Sequence, residues 1–467
     1  MTVSQKQNPT VLSMARTIKK PLLVFVAMPF TGHTSPPLQL AQELISRGYE
    51  VLFISSSEFQ AGIEKVGAEW HDFPDAFPPG SLEARGKLPP GPARLLYDQR
   101  AIFIDSMPAR SQVLRSVLEM VRERDPERKV IIVNESCSFA VLPFMYGAPL
   151  PKGYDRFPDV VSMNVIPLIV TSHDTAPFGP GLPPDSSEVG RVRNKFMYDL
   201  MYAGPFEEMN QYFQEKLKSL GCTDLPKSFY FDVLLSSYKT MFQMCSPSMD
   251  YPRSDLDLSI RFVGALPTRP VDPAYEFPSW WDDLTRNAAL AADAQDRKKV
   301  VAVSQGTIAT DYSEVLIPAM TGLAGRSDVM QIVILGVRGA SLPADTQVPK
   351  NAKVVDYVPY DALLPFTDVF VTNGGFGSFV HGAINGVPMV VSGVTEDKME
   401  VTARAEYCGM AVNLKTQTPS SEAIAEAADK IFKDSRYKQR ALRLKQDNQD
   451  LDAVHIIERQ IEVYTKG

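Results

Sequence analysis

The stretch Pro21-Leu-Leu-Val-Phe-Val-Ala27 and the residues behind it, Met28-Pro-Phe-Thr-Gly-His-Thr34, decide the fold. An unbroken apolar run of this length predicts a β-strand that is covered on both faces. A helix is predicted next, because Ser35 is a suitable N-cap and Gly48 a suitable stop. The segment Tyr49-Glu-Val-Leu-Phe-Ile-Ser55 predicts a second strand. Together these segments form a β-α-β unit, which crosses over right-handed into a parallel sheet.

Similar segments recur along the whole chain. In the first half, strands are predicted at residues 129–133, 160–165 and 259–264, and a long helix at 108–124. In the second half, helical segments separate most of six predicted strands, at residues 300–304, 331–335, 353–357, 368–372, 388–392 and 411–414. The sequence therefore predicts an α/β protein with two facing Rossmann-like domains, each a doubly wound parallel sheet, and a cleft between them.

The predicted division of the chain has five parts. Residues 1–20 form a flexible N-terminus, 21–262 the first domain, 263–298 a linker and the entry to the second domain, and 299–440 the second domain. Residues 441–467 form a charged helical tail, which we expect to pack back on the first domain.

Composition excludes several classes of protein. The 467 residues include 48 basic and 55 acidic side chains, for a net charge of −7, which disfavours binding to nucleic acid backbones. Four scattered cysteines without a C-x-x-C pair argue against a disulfide framework and a zinc–thiolate site. No apolar run is long enough for a signal peptide or a membrane span. We therefore expect a soluble protein of the cytoplasm.

Two glycine-rich turns directly follow predicted strands. The segment around Gly374, Gly375 and Gly377 leads into a helix predicted to begin near Ser378, and the segment 303–307 is a turn of the same kind. Free N–H groups and the positive end of a helix hold phosphate at such turns. A tight β-α turn without a ligand is the alternative for either turn alone, but two turns on one sheet favour a diphosphate. The glycine pattern matches neither the dinucleotide fingerprint nor a Walker loop, which disfavours a dehydrogenase or an NTPase.

His33 lies in a Gly-His turn between a strand and a helix, where it could serve as a general base. The helix N-terminus disfavours imidazolium, so we expect a neutral ring near pH 7. A general base needs a carboxylate on its other nitrogen, and Glu135 could reach it, whereas Asp105 is less well placed. A hydrogen-bonded structural histidine is the alternative. The segment 196–213, rich in Phe, Met and Tyr, suits core packing better than a binding wall.

These motifs resemble glycosyltransferase family 1, the UDP-dependent glycosyltransferases with two facing Rossmann-like domains, known as the GT-B fold. The similarity extends from about Pro21 onward. It is most specific at Gly32-His33 with the helix at 36–48, and in the donor-binding signature at 354–414.

The resemblance implies roles for individual residues. His33 would deprotonate the acceptor hydroxyl, and Glu135 would orient it in place of the usual aspartate. The residues that would bind the donor occupy family positions, several of them with altered identity: Gly32, Thr307, Tyr357, Val358, Tyr360, Asn373, Gly375, Gly377, Ser378, His381, Glu396, Asp397 and Lys398. Tyr357 would stack on uracil, where tryptophan is usual, and the backbone of Val358 would pair with the base edge. Tyr360 and His381 replace a glutamine and the glutamate for the ribose, and Asn373 replaces the phosphate-binding histidine. Glu396, Asp397 and Lys398 would contact the sugar hydroxyls.

The resemblance also implies an enzyme. It would be a hexosyltransferase that moves a sugar, expected to be glucose, with inversion from a UDP-sugar to a hydroxyl of a lipophilic phenol, flavonoid, sterol or hydroxylated lipid. No cofactor or metal ion is expected, and no nucleic acid partner; a monomer is expected. A nucleotide-sugar epimerase on the same scaffold and a non-catalytic nucleotide-sugar binding protein are the alternatives.

Overall fold

The computed structural model describes residues 19–89, 91–291, 293–307 and 309–466, and its first half is built on a seven-stranded sheet. All neighbouring strands are parallel, in the order β3-β2-β1-β4-β5-β6-β7. The strands are β1 Leu22–Val26, β2 Glu50–Ile54, β3 Glu69–His71, β4 Val130–Glu135, β5 Asp159–Asn164, β6 Met241–Gln243 and β7 Ile260–Phe262. Since β1 and β4 are neighbours, the residues that follow them meet at one edge of the sheet.

Nine α-helices are found among the described residues of the first half: α1 Thr31–Ser46, α2 Gln60–Lys65, α3 Ser81–Gly86, α4 Pro92–Asp98, α5 Met107–Arg124, α6 Leu142–Met145, α7 Glu188–Tyr202, α8 Pro205–Ser219 and α9 Tyr230–Ser236. The prediction that Ser35 caps α1 is wrong. The helix begins four residues earlier, at Thr31, and Phe30 occupies the N-cap position without a side-chain hydrogen bond. The backbone N–H groups of His33 and Thr34 donate to the Phe30 carbonyl at 2.9 and 2.8 Å, which places His33 within the first turn.

The second half is built on a six-stranded parallel sheet in the order β10-β9-β8-β11-β12-β13. Its strands are β8 Lys299–Ser304, β9 Val329–Ile334, β10 Ala352–Val355, β11 Val369–Thr372, β12 Met389–Val391 and β13 Ala411–Asn413. Its helices are α10 Trp281–Ala289, α11 Leu316–Gly322, α12 Tyr360–Leu363, α13 Phe376–Asn385, α14 Lys398–Tyr407, α15 Ser421–Lys433, α16 Ser435–Gln449 and α17 Ala453–Lys466. The two-sheet α/β architecture is as predicted, and each predicted strand lies within two residues of an observed one.

Helix α17 packs against the sheet of the first half. Its apolar side is buried in the same core as β1, and the residues concerned are Ala453, Val454, Ile457, Ile461, Leu23 and Phe25. The Tyr464 hydroxyl lies 2.9 Å from the Thr240 hydroxyl. The segment 1–18, which contains most of the predicted flexible N-terminus, lies outside the described residues. In the part that the structure describes, every helix is too short or too polar to cross a membrane.

A buried ion-pair network joins the two halves. Arg404 of α14 donates to Asp250 of the first half at 3.0 Å and to Glu400, one turn away, at 2.8 Å. Glu400 in turn accepts the backbone N–H groups of Gly179 and Gly181, both at 2.9 Å. Charge-assisted hydrogen bonds of this kind constrain geometry strongly, so α14 is held directly against the first domain.

Candidate active site

The histidine singled out in the sequence stands at the edge of the first sheet. His33 follows β1, and Glu135 is the last residue of β4, the neighbouring strand. Nδ1 of His33 lies 3.0 Å from Oε1 of Glu135. This pairing leaves Nε2 as the ring nitrogen without a carboxylate partner. The structure thus brings the two residues together at the geometry of an oriented general base.

Glu135 is itself fixed by backbone donors. Its side chain is fully buried and accepts the N–H groups of Cys137 at 3.0 Å and of Met28 at 3.3 Å. Asp105, the alternative orienting carboxylate, instead forms an ion pair with Lys216 at 2.8 Å. Asp105 is therefore engaged away from the histidine.

The pKa of His33 is shifted upward, opposite to the direction expected from the helix N-terminus alone. Burial alone lowers the pKa of His33, but the negative charge of Glu135 and hydrogen bonds with the Cys137 thiol and Glu135 carboxylate more than offset it. The pKa therefore lies well above 6.5. The effect of the helix N-terminus is of order 1 kcal/mol, and a directly bonded carboxylate outweighs it.

Apolar side chains surround this pair on the first domain. One cluster contains Met28, Phe30, Ala76, Phe77, Ile102, Phe103, Cys137 and Ile166. The Phe30 ring lies 5.9 Å from the His33 ring and 5.3 Å from the Phe77 ring. Most of the segment 196–213 packs elsewhere, since Phe206, Met209 and Phe213 belong to the main core of the first domain. These wall residues were not identified from the sequence, because they come from five separate segments that only the fold assembles.

The two glycine-rich turns lie side by side at the second sheet. Asn373 follows β11, and its side-chain amide donates to the carbonyl of Gln305, which follows β8, at 2.8 Å. Gly374 has a φ of +77°, and a Cβ there would lie 2.2 Å from the Thr402 side chain, so only glycine fits. Helix α13 begins at Phe376, two residues before the predicted start at Ser378, with Gly375 as its N-cap residue.

The space beside these turns is open. A Cβ at Gly375 or Gly377 would meet no atom within 4 Å, whereas Ser378 is buried. Thr307, beyond the other turn, is exposed. The first N–H groups of an α-helix have no intrahelical partner, so the start of α13 offers donors to an anion. Gly32, opposite in the first turn of α1, likewise has open space at its Cβ position.

Tyr357 lies past the end of β10 with Val358 buried behind it. The guanidinium of Arg338 stands over the Tyr357 ring at 4.1 Å from its centre. The hydroxyl of Tyr275 donates to the Tyr357 carbonyl at 2.9 Å. Arg338 and Tyr275 were not identified from the sequence, and no local pattern around them indicates this contact.

The two residues expected near the ribose are held by neighbours. Tyr360 donates its hydroxyl to Ser304 at 2.7 Å, and its ring packs edge-on against His381, 5.3 Å between centres. Nδ1 of His381 lies 2.9 Å from Oδ1 of Asp361. The Tyr360 hydroxyl therefore points at the end of β8. His381 has only Nε2 available for a ligand, because Nδ1 contacts Asp361.

The segment 395–398, which we name the sugar loop, faces the first domain. Glu396 pairs with Lys398 and, at 2.8 Å, with Arg85 of α3 across the cleft. Burial raises the pKa of Asp397 above its usual value, although the positive charges of Lys398 and His33 oppose this shift. Asp397 is thus within electrostatic reach of His33. Glu396 differs from Asp397 because its carboxylate is already paired with two cations, Lys398 and Arg85.

Among the described residues, the one group of three potential metal ligands within 4.8 Å of one another is His33, Glu135 and Cys137. The Glu135 oxygens are already hydrogen-bonded to the backbone N–H groups of Met28 and Cys137 and to Nδ1 of His33. The donor set accordingly fits a hydrogen-bonded base at least as well as a metal centre.

Comparison with known proteins agrees with this architecture. Residues 321–455 match the family described as the erythromycin biosynthesis protein CIII-like C-terminal domain. UDP-glucosyltransferase 1 of Beauveria bassiana is 36% identical over 444 residues, covering 94% of each chain. UDP-glucosyltransferase A1 of Starmerella bombicola is 30% identical over 457 residues, covering 96% of this chain and 93% of its own.

A solved structure, the glycotransferase of kitacinnamycin, superposes with a TM-score of 0.69 at 18% identity, covering 95% of this chain and all of its own. That likeness shows the fold, and the long alignments above 30% identity show the family. The chain belongs to glycosyltransferase family 1, the UDP-dependent glycosyltransferases of GT-B fold.

Proposed function

We propose that this enzyme transfers glucose from UDP-glucose, with inversion, to a hydroxyl group of a lipophilic small molecule. The observation that carries the proposal is the 3.0 Å contact between His33 and Glu135 beside the apolar cluster around Phe30. An oriented imidazole next to aromatic walls suits an acceptor that combines a hydroxyl with an apolar body. The names of the two fungal relatives support glucose as the transferred sugar.

In this proposal Nε2 of His33 takes the proton of the acceptor hydroxyl while Glu135 holds Nδ1. The acceptor oxygen forms a bond to the anomeric carbon, and the bond from that carbon to the phosphate oxygen breaks. UDP leaves with the bonding electron pair. Donors at the start of α13, with Thr307 and Asn373, stabilise the charge that develops on the diphosphate.

Tyr357 is proposed to stack on the base, and the guanidinium of Arg338 contacts the ring of Tyr357. The Val358 backbone would pair with the base edge, and His381 would reach the ribose through its free nitrogen. Asp397 would bind sugar hydroxyls. We propose further that no metal ion takes part, so EDTA leaves the rate unchanged and added Mg²⁺ does not raise it.

The proposal is tested with His33→Ala. Loss of a general base should lower kcat by ~100-fold or more, while the Kd for UDP measured by titration calorimetry stays within about twofold. His71→Ala is the matched control, because His71 also pairs with a glutamate, Glu69, at 3.0 Å but lies on the edge strand β3, which β2 separates from β1. Comparable turnover of the His33 variant and the control would refute the assignment.

The acceptor class and the stereochemistry need a second experiment. UDP-glucose is offered with panels of lipophilic phenols and alcohols, and with matched polar alcohols, and glycosides are detected by mass. The proposal expects products from the lipophilic panel, and NMR should show a β-linkage from the α-linked donor. Products confined to the polar panel, or an α-linkage, would overturn those parts of it.

A further inference from the structure

We propose that Arg85 of the first domain is a positioning residue for the donor sugar, acting through Glu396 to hold the sugar loop over the reaction centre. Arg85 lies on α3, far from the donor signature in sequence, and nothing in the chain around it resembles a nucleotide-sugar site. The inference rests on the proposed assignment of the sugar loop to the donor.

Asp98 of the first domain fixes the Arg85 side chain. Its Nε donates to both oxygens of Asp98, at 2.9 and 3.1 Å, and its Nη2 donates to Oε1 of Glu396 at 2.8 Å. The side chains of Arg85 and Asp98 are only 18% and 12% exposed. A forked guanidinium held on one side by a carboxylate loses little further freedom when it binds a second one. The Arg85 side of the pair is therefore fixed, unlike that of a mobile surface ion pair, while the Glu396 side chain is 39% exposed.

At the other end of the contact, Glu396 has a constrained backbone conformation. Glu396 has a φ of +50°, a left-handed conformation that costs a non-glycine residue about 1 kcal/mol or more. Its carboxylate is held at three points, by Arg85, by the ammonium of Lys398 and by the hydroxyl of Thr395. The surrounding contacts thus maintain the strained residue, and Arg85 is the one among them that comes from the other domain.

The backbone conformation of Glu396 determines the position of the next residue, Asp397. Asp397 is the N-cap residue of α14 and directly follows Glu396, so a change in the φ of Glu396 moves the Asp397 carboxylate at the start of that helix. The chain Asp98–Arg85–Glu396 therefore connects the position of Asp397 to the first domain. Removing Arg85 frees the sugar loop while leaving the glycine-rich turns and Tyr357 untouched.

This placement predicts a selective effect on the sugar part of the donor. UDP lacks the hexose and does not reach the sugar loop, whereas UDP-glucose does. We therefore expect Arg85→Ala to weaken UDP-glucose binding by roughly 10-fold, the effect of losing about one hydrogen bond between the displaced Asp397 and the sugar, and to change UDP binding by less than about twofold. The release of UDP by hydrolysis should also increase relative to glycoside formation, because the loosened loop admits water.

The measurement is calorimetric titration of the purified full chain with UDP-glucose and with UDP, alongside thermal unfolding. Lys87→Ala is the matched control: Lys87 lies just past the same short helix and pairs with Glu83 at 2.7 Å, within the first domain. Arg85→Gln is the second variant, in case the alanine variant folds poorly. Unchanged UDP-glucose affinity in a folded Arg85 variant, or equal loss for UDP and UDP-glucose, would overturn the inference.

Two further variants separate this inference from the proposed function. Asp397→Asn should reduce UDP-glucose affinity without affecting UDP; if it does not, the donor assignment of the sugar loop fails whatever Arg85 does. If Asp397→Asn does reduce UDP-glucose affinity alone, the donor assignment stands, and the Arg85 and Glu396 variants then test only the positioning role of Arg85. Arg85→Ala combined with Glu396→Gln should lose no more than the larger single effect, since both changes break the same contact. Full additivity would show that Arg85 does not act through Glu396.

Discussion

The side-chain amide of Asn373 donates to the backbone carbonyl of Gln305 at 2.8 Å and so joins the turn after β11 to the turn after β8. Both residues are buried. The Asn373 side chain thus links the two turns directly, at a position where the family usually has a phosphate-binding histidine.

Asn373→Ala should accordingly weaken binding of the diphosphate. A lost hydrogen bond of this type is expected to reduce affinity by roughly 3- to 10-fold, and UDP and UDP-glucose should be affected equally because the sugar is not involved. Calorimetric titration with both ligands checks the prediction. An effect on UDP-glucose alone would mean that Asn373 acts on the sugar and not on the turns.

The raised pKa of His33 predicts the pH dependence of the reaction. Below that pKa the ring is imidazolium and cannot accept a proton, so kcat/KM should rise with pH and level off only well above pH 6.5. Glu135→Gln removes the charge that raises the pKa of His33, so the rising limb should move to lower pH while the maximal rate falls. A limb that stays in place in the Glu135 variant would contradict this account.

The contribution of the His33–Glu135 pair to stability should fall as pH rises, whereas kcat/KM rises with pH. A histidine whose folded-state pKa is raised stabilises the fold fully below its unfolded pKa of about 6.5, and this contribution is lost as pH rises through the folded pKa. Urea unfolding at several pH values should show the loss, and His33→Ala should not. The conditions that activate the base are therefore those under which its ion pair stops stabilising the protein.

Arg110 of α5 predicts a stabilising substitution. Its side chain is fully buried, and none of its three guanidinium nitrogens has a hydrogen-bond partner among the described residues. Burial lowers the pKa of Arg110 to about 10, with the negative charge of Glu135 opposing the shift. Arg110→Met should stabilise the fold by about 1 kcal/mol or more, because it removes a poorly compensated buried charge.

Arg115→Met on the same helix is the contrast. Arg115 donates to the carbonyls of Leu150 at 2.8 Å and Pro149 at 2.5 Å, so its loss should destabilise the fold by about 1 kcal/mol. Denaturant unfolding measures both variants. If Arg110→Met destabilises the protein as Arg115→Met does, the guanidinium has a compensating interaction and the premise is wrong.

Helix α17 predicts a stability effect that crosses the domain boundary. Ile457 is completely buried against the first sheet. Ile457→Ala should cost about 2–5 kcal/mol, whereas Val463→Ala on the same helix, 60% exposed, should change stability by less than about 0.5 kcal/mol. Equal effects of the two variants in denaturant unfolding would show that α17 does not contribute to this core.

The features that the sequence predicts well are those with short-range signals. The predicted strands are found within two residues of their predicted bounds, whereas β3 and β6, of three residues each, were missed. The proximity of His33 and Glu135 was also predictable, since the residues after neighbouring parallel strands meet at one edge.

What could not be predicted depends on contacts between distant segments. The Arg85 contact with Glu396 joins residues 311 positions apart, and the Arg338 guanidinium over Tyr357 depends on how two loops fold together. The direction of the His33 pKa shift was misjudged for a related reason. Its pKa depends on a 3.0 Å distance, which spacing in the sequence does not provide.

The packing of α17 on β1 has a consequence for biosynthesis. The ribosome makes β1 early and α17 only after every element from β2 to α16, yet both belong to one apolar core. Until α17 has left the exit tunnel, the part of this core that α17 covers is not yet buried, although Leu40 and Leu44 of α1 pack there as well. The amino-terminal half therefore acquires its full core only once α17 has been made, and unburied apolar surface of this kind favours association with other chains in the interval.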